Sequence, residues 1–235
     1  MSSRITQYRG ALTPEQAAEG IALARANASR LIADAELLLG AERHPSAIGL
    51  AILAIEELGK VQIIKMIVLH SEEAALKKSW REYRSHRAKN VQWIIPTLAA
   101  EGARTLIDLK PATDIDGEHT AMLDAIKQLA FYTDCLNATP RWTEPVDAID
   151  PKFAESIIAV AKLLNRDRVT EVKELELWVE LFAPFYEKPG MVEALLRFQQ
   201  RMVEEGLTDT PVATMEAFFR GQPIAATSAE ANERG

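Results

Sequence analysis

Ala47 to Leu69 reads AIGLAILAIEELGKVQIIKMIVL, a nearly unbroken apolar helix pattern interrupted at its centre by Glu56-Glu57-Leu58-Gly59-Lys60. Placing carboxylates and an ammonium inside such a stretch is costly unless they are paired or put to use. Leu53 and Ala54 precede Glu57 by about a turn and Val61 and Ile64 follow it, so a helix places Glu57 within the apolar arc, at an interface. Lys60, at i+3, is close enough to share a site with that carboxylate. Only Pro45 to Ile55 is free of charge, well short of the roughly 20 residues a membrane span needs, so this is a buried helix of a globular protein.

The helices around it follow from caps and periodicity. Thr13-Pro14-Glu15-Gln16 is a capping-box start, and Ala17, Ile21, Ala24, Ala28, Leu31, Ala35 and Leu38 form an apolar stripe from there to about Leu39. Asn27 lies beside the stripe, as an interhelical hydrogen-bonding residue would. The short Arg43-His44-Pro45-Ser46 turn makes the next helix, about Ser46 to His70, an antiparallel neighbour. A third helix is expected over Glu73 to Ala100, with Pro96 kinking or ending it. A loop over Lys110 to Gly117 leads to a fourth helix over Glu118 to Thr133. Asn137 to Pro145 is an ordered loop, Pro151 to Leu164 a fifth helix, and further helices cover about Thr170 to Phe185, Pro189 to Glu205 and Val212 to Phe219. No stretch alternates like a strand. The fold class is all-α: an antiparallel bundle over residues 12–165, additional C-terminal helices over 166–222, and a disordered tail over 223–235.

The 235 residues are 48% hydrophobic, enough for one large domain or a domain with an appendage. A single cysteine excludes an internal disulfide framework and a cysteine-rich zinc site, and no signal-peptide pattern opens the chain, so a cytoplasmic location is the default. The net charge of -7 is uneven. Residues 1–110 carry 15 Lys and Arg against 12 Asp and Glu, and the remainder 12 against 22, so a polyanion must dock on the first half. There Lys77, Lys78, Arg81, Arg84, Arg87 and Lys89 stand against Glu82 alone, either a solvated helix face or a phosphate-binding one. Within that run His86, flanked by guanidinium groups, suits proton transfer next to phosphoryl charge. Arg81 and His86 form an Arg-x4-His spacing, which chance alone produces easily, and on one helix would lie somewhat over a turn apart.

Asn27-Ala28, the Ala54 to Lys60 segment, Ser85-His86-Arg87-Ala88-Lys89, and Phe131-Tyr132-Thr133-Asp134 followed by Trp142 and Pro145 together resemble the AbiV family of abortive-infection proteins, within the HEPN superfamily. The resemblance covers roughly Leu12 to Leu164. It implies a compact helical domain, often a homodimer, acting in bacterial defence against phage, with metal-independent RNA cleavage as the usual activity of the superfamily. The superfamily motif corresponds to Arg81 and His86, although Glu82 and a position on the third helix depart from the usual pattern. The Glu57, Lys60, His86 and Lys89 set fits the AbiV-like pattern better. Arg84, Arg87, Lys77, Lys78 and Asn90 are then candidates for binding RNA, and Asn27, Glu56 and Tyr132 for support. No cofactor or metal is implied. Candidate partners are RNA (tRNA, rRNA or mRNA), the translation apparatus, a phage-encoded trigger, an antitoxin and a second copy, and no membrane. A non-catalytic inhibitor that holds a nucleotide, RNA or protein in the same basic cleft is the alternative function.

Two geometric expectations follow. Helix two is apolar around most of its circumference, which leaves a face for a homodimer or for other helices of the chain. Because helices two and three are consecutive, with Lys60 about 11 and His86 about 14 residues from their connection, at 1.5 Å per residue the two features should lie at similar heights and share one cleft.

Overall fold

The computed structural model describes residues 6–136, 140–165 and 168–222, so the expected tail over 223–235 lies outside the described residues. The long pair comes first. Helix α1 (Pro14–Gly40) starts on a complete capping box, in which the Thr13 side chain accepts from the Gln16 N–H and the Gln16 side chain accepts from the Thr13 N–H. Three residues later α2 (His44–Leu69) begins, with Pro45 in its first turn where a missing N–H costs nothing. Ala17, Ala28, Ala35, Ala47, Ala51 and Ala54 are fully buried, and these small side chains let the two helices pack closely along their length.

Around α2 the rest of the chain closes. Helices α3 (Glu73–Arg84), α4 (His86–Asn90), α6 (Glu118–Phe131), α8 (Pro151–Leu164) and α9 (Val172–Phe182) all pack on it, together with α1 and the short α7 (Pro145–Ala148). Ile48, Ile52 and Ile55 join Leu123 of α6 and Ile157 of α8 in one core. Ile63 and Ile67 join Leu76 and Trp80 of α3 in another. The apolar circumference that suggested a dimer face is therefore covered within the chain, and α2 offers a second copy no broad face. Helix α5 (Ile95–Ala100) lies between α4 and α6. Helices α10 (Met191–Glu204) and α11 (Val212–Phe219) complete the C-terminal extension.

Two departures from the sequence reading have local causes. The expected third helix is three helices. At Ser85 the backbone is extended (φ -79°, ψ 125°), and its hydroxyl accepts from the Ala88 N–H, so a capping residue restarts the helix at His86. Pro96 then opens α5 instead of kinking a longer helix. The second departure is a small sheet: Asp134–Leu136 (β1) pairs antiparallel with Arg141–Thr143 (β2), Cys135 opposite Trp142, where an irregular loop and no strand were expected. Three-residue strands are too short for alternation to show in sequence.

The extension is joined to the bundle by charge. Glu174 of α9 is buried and receives Lys65 of α2 at 2.6 Å and Arg168 at 2.9 Å. Burial pushes the Lys65 ammonium below its ordinary pKa, against the opposing pull of Glu174.

Candidate functional site

The buried acid of α2 is Glu56, one residue before the carboxylate singled out in the sequence. Its side chain is 4% exposed, and three basic groups converge on it. The His86 Nδ1 lies 2.7 Å from Glu56 Oε2, the Lys89 Nζ 3.1 Å from the same oxygen, and the Lys127 Nζ 2.7 Å from Oε1. Lys127, on α6, also meets Asp124 one turn earlier at 2.9 Å. Burial pushes the Glu56 carboxyl upward, but the hydrogen bonds from Lys127 and His86 and the charges of Lys89 and Lys127 together outweigh it and hold the group below its ordinary value. Glu56 is thus a carboxylate, which accepts only, and His86 Nδ1–H is the donor.

That bond orders the imidazole. With Nδ1 turned inward, Nε2 is left on the exposed side of a ring whose side chain is 52% accessible. A carboxylate that fixes the tautomer of an exposed histidine and can stabilise its imidazolium is the arrangement used for proton transfer. The backbone behind it is equally constrained. A Cβ on Gly59 would lie 2.7 Å from the Lys89 carbonyl carbon and 2.9 Å from its Cα, so α2 and α4 touch backbone to backbone one turn from Glu56. The turn that follows α4 is also tied to α6: Trp93 Nε1 donates to the His119 carbonyl, and the His119 ring bonds the Val91 carbonyl.

Glu57 and Lys60 form their own pair at 2.6 Å, both partly exposed. The Lys60 Nζ sits 5.4 Å from the centroid of the Tyr83 ring, three residues before His86. Through Glu56 with His86 and Lys60 with Tyr83, the two segments meet at one junction of α2 with α3 and α4, but the residue that joins them is Glu56. Arg81, Lys77, Lys78 and Arg87 are exposed on the basic run. The break at Ser85 means that Arg81 and His86 do not share a continuous helix, contrary to the spacing argument.

Two expected contributors are engaged elsewhere, and a third, Asn90, is enclosed with no hydrogen-bond partner for its carboxamide among the described residues. Arg84 donates to the carbonyls of Trp80 and Tyr8 and lies over the Trp80 ring, holding the segment before α1. Asn90 is fully buried and faces no solvent from which RNA could approach. Asn27 accepts from Arg30 on its own helix and not across helices. Tyr132 is exposed at the end of α6.

Sequence reasoning missed Lys127 and Asp124. The signal was present, since Lys127 stands in the buried stripe of α6 between Leu123 and Ala130, an ammonium where a core residue belongs. Glu56, His86 and Asp124 also place three ligand atoms within 4.8 Å of one another. The donor set does not suit a divalent ion, because the ammoniums of Lys89 and Lys127 already rest on both oxygens of Glu56 and would repel one.

The AbiV profile of the HEPN group matches residues 16–166, which span α1 to α8 and every group on Glu56. The chain belongs to the AbiV family. No curated protein and no solved structure matches it. The matched region ends before α9, so α9, α10 and α11 are an addition to the AbiV helical bundle.

Proposed function

We propose that this AbiV-family chain is an antiphage effector that cleaves RNA without a metal and so arrests growth or translation of the infected cell. The observation that carries the reading is the buried Glu56 carboxylate bonded to the inner nitrogen of the half-exposed His86. In the proposed step His86 Nε2 takes the proton of a ribose 2′-hydroxyl. The 2′-oxygen bonds to the adjacent phosphorus, and the bond from phosphorus to the 5′-oxygen breaks. The leaving oxygen takes a proton from the imidazolium or from water, leaving a 2′,3′-cyclic phosphate and a 5′-hydroxyl. Glu56 stabilises the imidazolium, while the exposed Arg81 and Arg87 and the partly exposed Lys60 would meet phosphate charge. Lys77 and Lys78 extend the basic face along α3.

A second reading, occupancy without cleavage, draws on a specific feature. Lys89 and Lys127 are committed to Glu56, and among the described residues His86 has Glu56 as its hydrogen-bonded partner, with no second proton-transfer group bonded to its ring. Turnover separates the two. Purified protein and its His86→Ala variant are incubated in chelator with total RNA at a large excess of RNA over protein, and phage resistance and growth are scored in parallel. Cleavage to cyclic-phosphate ends by substoichiometric wild type, lost in the variant, is expected. Intact RNA at protein doses that still arrest growth would overturn the catalytic reading and leave occupancy.

A further inference from the structure

The C-terminal extension encloses a cleft of about 460 Å³ against the bundle, and none of its lining side chains is charged. The bundle side contributes Ile95, Leu106 and Leu109; the extension side contributes Trp178, Phe198, Met215 and Phe218. Each of these keeps part of its surface exposed, and neither α5 nor α11, the two short helices that flank the cleft, has a fully buried residue. That much partly exposed apolar and aromatic surface, gathered in one half-open cleft, is the composition of a small-molecule site.

The walls are held in place before anything binds. Trp178 Nε1 donates to the Lys65 carbonyl, and its ring stacks on Phe182 at 4.1 Å and meets Phe198 edge-on at 5.2 Å. Gln199 donates to the Thr210 carbonyl, and the Leu106 N–H to the Phe218 carbonyl, pinning α11 across the opening. Polar groups are few and uncharged: besides Thr113 and Gln199, the exposed Gln62 and the partly exposed Gln92 line the cleft, their carboxamides offering both a donor and an acceptor. A half-open cleft of this volume suits a compact molecule, not an extended protein surface.

We propose that this cleft binds an uncharged, planar aromatic small molecule, its ring resting on the Trp178–Phe198 pair and Phe218 and one polar edge toward Gln62 and Gln92. Gln62 and Gln92 also line a second, smaller pocket of about 100 Å³ together with Gly59 and Lys89. Ligand and the support of His86 are thus one layer of side chains apart. The binding claim does not rest on RNA cleavage, and its test is read without it.

The probe is prodan, a neutral naphthalene ketone whose emission shifts to the blue in an apolar site, titrated into the full chain. Saturation at one dye per chain is expected, with the anionic dye ANS binding more weakly. Met215→Trp, which fills the cleft, and Gln92→Glu, which puts a charge in it, should each weaken prodan by roughly tenfold or more. Leu37→Ala, on the exposed face of α1, should leave binding unchanged. Circular dichroism checks folding, and should Met215→Trp fail to fold, the partly exposed Gln92→Glu carries the test alone. Non-saturating uptake, or equal affinity in wild type and the folded variants, would overturn the proposal.

Discussion

Replacing Gly59 with alanine tests whether the contact of α2 with α4 fixes the site. The new Cβ would stand 2.7 Å from the Lys89 carbonyl carbon, with the carbonyl oxygen closer still, whereas ordinary contact begins near 3.4 Å. The helices must part by at least about 0.7 Å, and because the obstacle is backbone, no rotamer change relieves it. Overpacking of this kind costs typically about 1–3 kcal/mol, and alanine returns somewhat less than 1 kcal/mol of helix propensity. The balance, a net loss of about 1 kcal/mol, would lower the midpoint of thermal unfolding by roughly 2–4 °C in a chain of this size. The displaced helix carries both His86 and Lys89, so their bonds to Glu56 should loosen as well. Calorimetry gives the stability, and the imidazole resonances of His86 report the change at the site. Gly40→Ala is the control, since nothing lies within 4 Å of a Cβ there. If Gly59→Ala unfolds with the wild-type midpoint and leaves the His86 resonances in place, the close crossing of α2 and α4 does not constrain the site.

Two further predictions concern Glu56. Lys127→Met removes the partner of Oε1 and leaves a buried carboxylate short of charge compensation, so stability at neutral pH should fall by about 3 kcal/mol. In a double-mutant cycle with Glu56→Gln, urea unfolding should give a coupling above about 1 kcal/mol, and additive losses would show that the pair does not interact. The pH dependence has a definite sign: because the folded state holds the Glu56 carboxyl below its ordinary value of 4.5, its contribution is present above that pH and is lost as pH falls through the folded value. Unfolding curves from pH 7 down to pH 3 should therefore lose less stability in Glu56→Gln than in wild type, and parallel curves would refute the assignment.

Much of the fold was legible because it is local. The capping box at Thr13, the alanine stripe of α1 and the helix from Pro151 to Leu164 rest on signals within a few turns, and the structure keeps them all. What failed depended on partners far along the chain. Glu56 and Glu57 are adjacent acids in one apolar helix, and only the arrival of α4 and α6 on one side decides which of them is buried. The same holds for Lys127, whose stripe position marks it as core while its purpose depends on an acid 71 residues earlier. Ser85 was readable as a cap, but the basic residues on both sides of it read as one continuous face.

The two ammoniums on Glu56 bear on the imidazole as well as on the buried acid. A carboxylate this deeply buried tends to take up a proton, and a protonated Glu56 would be a donor at the position where His86 Nδ1 needs an acceptor. Lys89 and Lys127 oppose that proton from both sides, one on each oxygen, and so keep the acid ionised and the inner nitrogen of the ring protonated. Neither ammonium has to reach a substrate to matter, since each acts through Glu56 on the orientation and tautomer of His86. Asp124 shares Lys127 and sets where that ammonium rests, which extends the chain of support from the exposed ring on α4, through the buried acid on α2, to a partly exposed acid on α6. Three helices separated in sequence thus converge on one proton-bearing nitrogen, and Glu57, pointing to its own lysine, lies outside that chain.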